Sequence, residues 1–260
     1  GVTVDHEART VRVVNDHQAR TVLVRNYPIS VDPAEFREHI TTPEMVEAAA
    51  EMTRTRTKHL ILRVDRTDPS KNIVRGFHAY DRLLTRRPDL HGDVTLLTLL
   101  DPSRLSIPAY SLYFETIQET AAEVNARHAH DGWLPIDLRI GDNFPDVIAA
   151  YQQYDVLLVN AIADGMNLIA KEAPLLNVTD GVIVLSERAG AYEELEPFVL
   201  GIDPLDVEAT AAQLERAIEL SQGERASRSV AIKDFLMTHD VSRWIDLQLR
   251  DLNDLTEARR

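Results

Sequence analysis

Asp164-Gly165-Met166-Asn167-Leu168-Ile169-Ala170-Lys171-Glu172 stands between two apolar runs, residues 155–160 and 181–186. Both runs read as buried strands, so the order is strand, glycine-containing loop, helix, strand, which is the parallel α/β unit. In such units ligands bind at the carboxyl ends of strands, where a helix start offers free N–H groups and the positive end of its dipole. Backbone amides from Met166 to Ile169 would hold an anion there. Glu172, five residues past Asn167 on the same helix, would accept hydrogen bonds from a sugar's hydroxyl pair, as acidic residues do for ribose. An ordinary strand-to-helix loop with Asp164 as N-terminal cap fits the same spacing.

Two cations stand at an earlier strand end. Arg66 and Lys71 fall in the loop 65–72, after a strand at 60–64. A guanidinium fork and a point charge five residues apart suit a diphosphate. The competing reading makes them solvated loop charges, with Arg66 paired to Asp65 or Asp68. Arg104 follows the next strand in Asp101-Pro102-Ser103-Arg104, where on sequence alone it serves equally to cap the following loop. His128-Ala129-His130 has no third ligand at helpful spacing and reads as a helix end, so no metal site is expected.

These residues need an alternating scaffold, and the chain carries one. Residues 10–25 alternate as a β-hairpin with Asn15 and Asp16 in its turn, and residues 26–33, with Pro28 and Pro33, read as a linker. A helix over 43–52 is capped by Thr41 or Thr42. From His59 onward the pattern predicts a strand at 60–64 and a helix over 72–84 with Ile73, Phe77, Tyr80 and Leu84 on one face. A strand at 94–100, a helix over 109–129, a short strand at 134–140 and a helix over 144–154 come next. Helices near 205–220 and 225–237 follow the last strand pair, and an amphipathic helix over 240–255 closes the chain. The expected fold is α/β: a Rossmann-like parallel sheet with helices on both faces, plus a short N-terminal hairpin.

The 260 residues carry a net charge of −14 and no cysteine. That charge argues against nonspecific nucleic-acid binding, which needs a basic face. An anionic ligand must therefore be met by a few local cations rather than by the global field. Without cysteine there are no disulfides, thiolate zinc sites or cysteine nucleophiles. No apolar run is long enough to span a membrane and no signal-peptide pattern stands at Gly1. A cytoplasmic protein without membrane partners is expected.

The run Asp-Gly-Met-Asn-Leu-x-Ala-Lys-Glu at 164–172 resembles a signature of the trehalose-6-phosphate synthase family of retaining nucleotide-sugar glycosyltransferases. Arg66 and Lys71 match an arginine and a lysine five apart that meet the donor's phosphates in that family, and Arg104 matches an arginine that meets the acceptor's phosphate. Ser186-Glu187-Arg188-Ala189-Gly190 resembles the family's Ser-Glu-x-Ala-Gly loop. Residues 140–144 should then lie near the nucleotide's base, while Tyr110, Asn125, Gly132 and Trp133 read mostly as packing. The resemblance implies transfer of glucose from a nucleotide sugar, UDP-glucose or GDP-glucose, to a sugar phosphate, with no cofactor. Arg66, Lys71 and Asp164 would be the catalytic set, Asp164 orienting the donor sugar's hydroxyls. Arg66, Lys71, Gly165, Met166, Asn167, Leu168, Ile169 and Glu172 would bind the donor, and Arg104 the acceptor phosphate.

The resemblance covers nearly the whole chain but only the second half of the family's sequence. It implies the C-terminal, donor-binding half of a GT-B fold, with residues 1–30 as final strands and linker of a missing N-terminal Rossmann-like domain and residues 31–260 as the nucleotide-sugar-binding domain. The closing helix around Trp244 would cross back to the missing domain. The exposed cleft wall would favour self-association. The chain would be a fragment, a cleaved product or a separately encoded half. Three departures stand out: Ala163 where the family often has arginine, Thr67-Asp68-Pro69 for Leu-Asp-Tyr, and Asn72 for glycine. The stretches Arg66-Thr67-Asp68-Pro69-x-Lys71-Asn72 and Glu172-Ala173-Pro174-Leu175-x-Asn177 look closer to pseudo-glycosyltransferases that join a nucleotide cyclitol to an amino-cyclitol phosphate through a C–N bond, and they also resemble actinobacterial synthase paralogues of unproven substrate. A non-catalytic nucleotide-sugar-binding partner subunit is the third reading.

Overall fold

Apolar runs of four to eight residues bounded by loops form the centre of the molecule, because a strand covered on both faces must be apolar throughout. In the computed structural model, which describes residues 1–5, 7, 9–14, 18–35, 40–141 and 144–257, these runs assemble into one six-stranded parallel sheet. Its strands are β4 (His59–Arg66), β5 (Val94–Asp101), β6 (Ile136–Ile140), β7 (Val156–Val159), β8 (Val182–Ser186) and β9 (Leu200–Ile202). They lie in the order β6-β5-β4-β7-β8-β9. This is the doubly wound order whose direction reverses between its first and fourth strands, here β4 and β7, and ligands bind at that reversal.

Alternation along each strand separates two cores. Ile61 of β4 packs with Ile73 and Phe77 of α2 (Ile73–Arg86), Ile117 of α3 (Pro108–His128) and Leu214 of α7 (Val207–Glu219). Leu60 and Leu62 face the other side. There they meet Met45 and Met52 of α1 (Pro43–Thr55), Ile148 of α4 (Phe144–Gln153), Ala173 of α5 (Ile169–Leu176), and Ile232 and Leu236 of α8 (Gln222–Thr238). Local caps begin these helices: Thr42 accepts from the Met45 amide, Asp206 from Ala209, and Ser221 and Glu224 form a capping box.

The amino-terminal segment differs from the expected hairpin. It is a three-stranded antiparallel sheet of β1 (Val2–Asp5), β2 (Thr10–Val14) and β3 (Ala19–Leu23), in the order β1-β2-β3. The first strand has only four residues, all exposed, and although Val2, Thr3, Val4 and Asp5 alternate apolar and polar, a run that short is a weak signal. Asn15 and Asp16 lie outside the described residues. The closing helix α9 (Val241–Glu257) packs on the segment that follows this sheet: Trp244 donates its indole N–H to the Tyr27 carbonyl at 3.0 Å, and the Tyr27 hydroxyl bonds Asp251 at 2.5 Å. Ile245, Leu249, Leu252 and Leu255 remain exposed on α9. Among the described residues no helix is long and apolar enough to cross a membrane.

Candidate functional site

Three loops converge at the reversal point. The first leaves β4 and turns through the short 3-10 helix Pro69–Lys71 into α2. Asn72 joins the two helices in the left-handed region, with φ 61° and ψ 38°. That accounts for the departure noted at this position: asparagine is among the few residues besides glycine that tolerate it. The Asn72 amide donates to the carbonyls of Asn160 (2.9 Å) and Pro204 (2.7 Å), and Ile162 N–H reaches the Ser70 carbonyl at 2.8 Å. The loop is thereby tied to the end of β7.

The second loop is the Asp164 stretch. The third, between β8 and the short helix α6 (Tyr192–Leu195), holds it in place: Gly190 N–H donates to Asp164 O at 2.9 Å and Ala191 N–H to Met166 O at 2.8 Å. Gly190 has no positive φ; its role is close approach, since a Cβ there would collide with the Gly165 carbonyl. Gly190→Ala is therefore expected to displace the Asp164 loop and to cost about 1–3 kcal/mol, measurable by thermal unfolding alongside nucleotide titration.

Asp164 is not the N-cap of the following helix. Its Oδ2 accepts from Lys71 Nζ at 2.7 Å and from Asn167 Nδ2 at 3.1 Å, while Oδ1 accepts from Met166 N–H at 3.4 Å. Regular helix begins only at Ile169, because Asn167 adopts φ 75°, and Asn167 Oδ1 accepts from Ala170 N–H at 3.2 Å. The expected amide set shifts accordingly. Met166 is engaged by Asp164, and the amides of Asn167, Leu168 and Ile169 have no acceptor among the described residues.

Lys71 stands between two carboxylates, 2.7 Å from Asp164 and 3.5 Å from Asp65. Burial acts to lower its pKa, but the charge of Asp65 and the hydrogen bond and charge of Asp164 outweigh burial and raise it. Burial likewise acts to raise Asp164, and the Lys71 contact prevails to lower it. Arg66 is more than half exposed and pairs with the buried Asp68 at 2.9 Å, so of its two candidate partners Asp68 is the one used. Asp65 turns inward to Arg63 instead, at 3.0 Å. Two charges on alternate residues of an otherwise apolar strand were the overlooked signal, since both project to the same buried face.

Glu172 is half-buried and accepts from the Tyr151 hydroxyl at 3.3 Å. Burial raises its carboxyl, against the lowering by Tyr151 and with a further rise from the charge of Glu35. Its neighbour Lys171 is fully buried, with Nζ on Glu194 (2.6 Å) and the Ile29 carbonyl (2.8 Å), so this cation of the stretch is structural. Arg104 is exposed beyond the end of β5 with φ 52°; Nη1 donates to the Tyr110 hydroxyl at 3.0 Å and the guanidinium lies over that ring. Its loop adjoins that of Arg66, since Ser103 N–H donates to Thr67 Oγ1 at 2.9 Å.

A cleft of about 210 Å³ opens here, with Val64, Leu99, Val147 and Ile169 as apolar wall and Arg66 and Lys71 as cations. A larger cavity of about 550 Å³ lies on the three-stranded sheet among Val4, Val11, Val24 and Pro28, away from these cations, and fits the chemistry less well. Of the stretch expected near a base, Asp142 and Asn143 lie outside the described residues. Asn125 bridges the Ile136 N–H and carbonyl, and Trp133 donates to Val94 O, which are packing roles. Among the described residues no group of three or more histidine, aspartate or glutamate side chains could hold a metal ion, and His128 is bonded to Asp81 at 2.7 Å.

A doubly wound sheet with cations and a free-amide loop at its reversal point defines a Rossmann-like domain of the GT-B glycosyltransferase type. The family model for glycosyltransferase family 20 matches residues 2–254, and the chain belongs to that family. A trehalose-6-phosphate synthase of Sinorhizobium fredii is 36% identical over 241 residues, covering 89% of this chain and 50% of the relative. The trehalose-6-phosphate synthase of Escherichia coli K12 is 30% identical over 88% of this chain and 49% of its own length. A UDP-forming alpha,alpha-trehalose-phosphate synthase structure from Burkholderia xenovorans superposes with TM-score 0.86 and 33% identity, covering 98% of this chain and 56% of that one. An E. coli structure described as bound with UDP-2-fluoro glucose gives TM-score 0.84 at 29% identity. The chain spans about half the length of the curated relatives it matches.

Proposed function

We propose that the chain is the donor-binding half of a retaining glycosyltransferase that moves glucose from a nucleotide sugar to a sugar phosphate, as in trehalose 6-phosphate synthesis. The observation that carries this is the meeting of Lys71 and Asp164 across the β4–β7 reversal, 2.7 Å apart beside the free amides of Asn167 to Ile169. Arg66 and Lys71 would stabilise the leaving diphosphate as its charge develops, the role of preorganised cations, and the amides would add to it. Glu172, turned from Tyr151, would hold the ribose. Asp164 would orient the donor sugar's hydroxyls while keeping Lys71 charged. Arg104, beyond the end of the neighbouring strand β5, would reach the acceptor phosphate. The remainder of the acceptor site would come from an N-terminal Rossmann-like domain, and residues 1–30 would lead in from it.

Calorimetric titration of UDP-glucose, GDP-glucose, UDP and GDP tests the reading and chooses the base. Glu172→Ala is expected to weaken the preferred set about tenfold, the scale of one or two lost hydrogen bonds to a charged group. A Glu172→Ala protein that binds as tightly as wild type would remove the ribose assignment.

A second reading is favoured by the loop from Arg66 to Asn72, where Thr67, Pro69 and Asn72 replace the residues the resemblance leads one to expect and Asn72 ends the 3-10 helix in the left-handed region. It makes the reaction C–N coupling of a nucleotide cyclitol to an amino-cyclitol phosphate. Parallel assays of that pair and of a nucleotide glucose with glucose 6-phosphate, each with an N-terminal half supplied, separate the two. Binding without turnover in either assay would leave a non-catalytic subunit.

A further inference from the structure

A site for a diphosphate should avoid buried negative charge, yet Asp65 lies directly beneath this one. Its Oδ2 is 3.0 Å from Arg63 Nη2 and its Oδ1 3.5 Å from Lys71 Nζ. Arg63 is wholly buried. Its Nη1 donates to Asn160 Oδ1 at 2.5 Å and its Nη2 to the Lys71 carbonyl. Gly76 of α2 leaves room for this guanidinium, since a Cβ there would stand 2.5 Å from Nη1. One guanidinium thus holds Lys71 at both ends, its backbone directly and its ammonium through Asp65. Arg63, Arg66 and Lys71 only match Asp65, Asp68 and Asp164 in charge, and Asp101, which also lines the cleft, leaves the carboxylates in excess by one. Beyond what the free amides of Asn167 to Ile169 offer, an entering anion gains net attraction from these side chains only if Lys71 leaves a carboxylate or a carboxylate takes up a proton.

We propose that Asp65, fixed by Arg63, is a positioning residue that competes with the donor diphosphate for the Lys71 ammonium, so that donor binding draws Lys71 off Asp65 and a solvent proton onto the Asp65 carboxyl. This rests on the donor-binding reading above. The groups facing Asp65 are Arg63 on its own strand, Lys71 from the loop into α2, and Asp164 from the loop after β7. Tyr113 of α3 and Tyr151 of α4 lie within its field, and both hydroxyls are held in their protonated form chiefly by burial. Burial already raises the Asp65 carboxyl against the lowering by Arg63 and Lys71. Loss of the Lys71 contact and arrival of a diphosphate both act in the raising direction. Binding therefore takes up a proton and strengthens as pH falls.

The test is calorimetry of UDP-glucose and GDP-glucose, whose diphosphate has no proton titrating near neutral pH, in two buffers of different ionisation enthalpy. Wild type is expected to take up a proton on binding. Asp65→Asn is expected to take up none and to bind on the order of tenfold tighter, the scale of removing one nearby like charge. A substitution that merely damaged the fold would weaken binding, so a gain in affinity marks the positioning role. Wild-type binding without proton uptake, or an Asp65→Asn protein that folds and binds no tighter, overturns the proposal. If Asp65→Asn does not fold, the wild-type proton count decides by itself. Failure of wild type to bind either sugar nucleotide, with or without an N-terminal half supplied, removes the donor-site reading and this proposal with it.

Discussion

Replacing Lys71 by alanine is expected to weaken binding of the preferred nucleotide diphosphate by at least about a hundredfold, the scale of removing one partner from a desolvated charge pair. Among the described residues Lys71 is the one partly buried cation that lines the cleft; Arg66 is more than half exposed and Arg63 is sealed behind the strand. Stability should fall as well, with a definite pH window. Asp164 has a depressed pKa, so its stabilising contribution is present above its unfolded-state value and is lost as pH falls through the folded value. Lys71 has a raised pKa, so its contribution is present below its unfolded-state value and is lost as pH rises through the folded value. The stability gap between wild type and Lys71→Ala should therefore be widest near neutral pH and narrow toward both extremes. Titration calorimetry measures the first effect and denaturant unfolding at several pH values the second. Unchanged nucleotide affinity would reduce Lys71 to a structural ion-pair partner.

The second large effect belongs to stability rather than to the site. Asp155 precedes β7 and sits between two arginines brought from distant parts of the chain. It accepts from Arg225 Nη2 at 3.1 Å, from Arg56 Nη2, and from the Leu60 N–H at 2.8 Å. Asp155→Ala leaves a buried guanidinium at Arg225 without its counter-charge and an orphaned strand amide. A loss of about 3–5 kcal/mol is expected, which for a domain of this size is roughly 10 °C in Tm. Nucleotide affinity of the folded fraction should change little, because Asp155 lies at the amino end of the sheet, opposite the cleft. A change of less than about 1 kcal/mol would mean that the two arginines reach water when Asp155 is gone.

Much of this molecule is local. The apolar runs of β4, β5, β7 and β8, the face of Ile73, Phe77, Tyr80 and Leu84, and the caps at Thr42 and Asp206 are legible because each depends on residues within one or two turns. The three-residue strand Leu200–Ile202 is not legible, since a run of that length with a central glycine has no period. The cap of α5 also escapes such a reading. Asp164 has the right residue type for it, yet its carboxylate is claimed by a lysine 93 positions earlier, the cap position falls on Leu168, and the Asn167 side chain bonds the Ala170 N–H from one residue further back.

The alternation of strands, helices and glycine-bearing loops from β4 to β8, the cations after β4 and the helix start after β7 are determined by sequence alone, because propensity, periodicity and side-chain chemistry act over short separations. Which charges meet is decided only by the tertiary structure. The sheet order β6-β5-β4-β7-β8-β9 sets the ends of β4 and β7 side by side. That adjacency pairs Lys71 with Asp164, while the strand's own pleat turns Asp65 inward to Arg63, and packing against Ile29 and Glu194 removes Lys171 from the cleft. Neither strand order nor the burial of one particular charge is written in the local pattern, since each is settled by the packing of elements far apart in the chain.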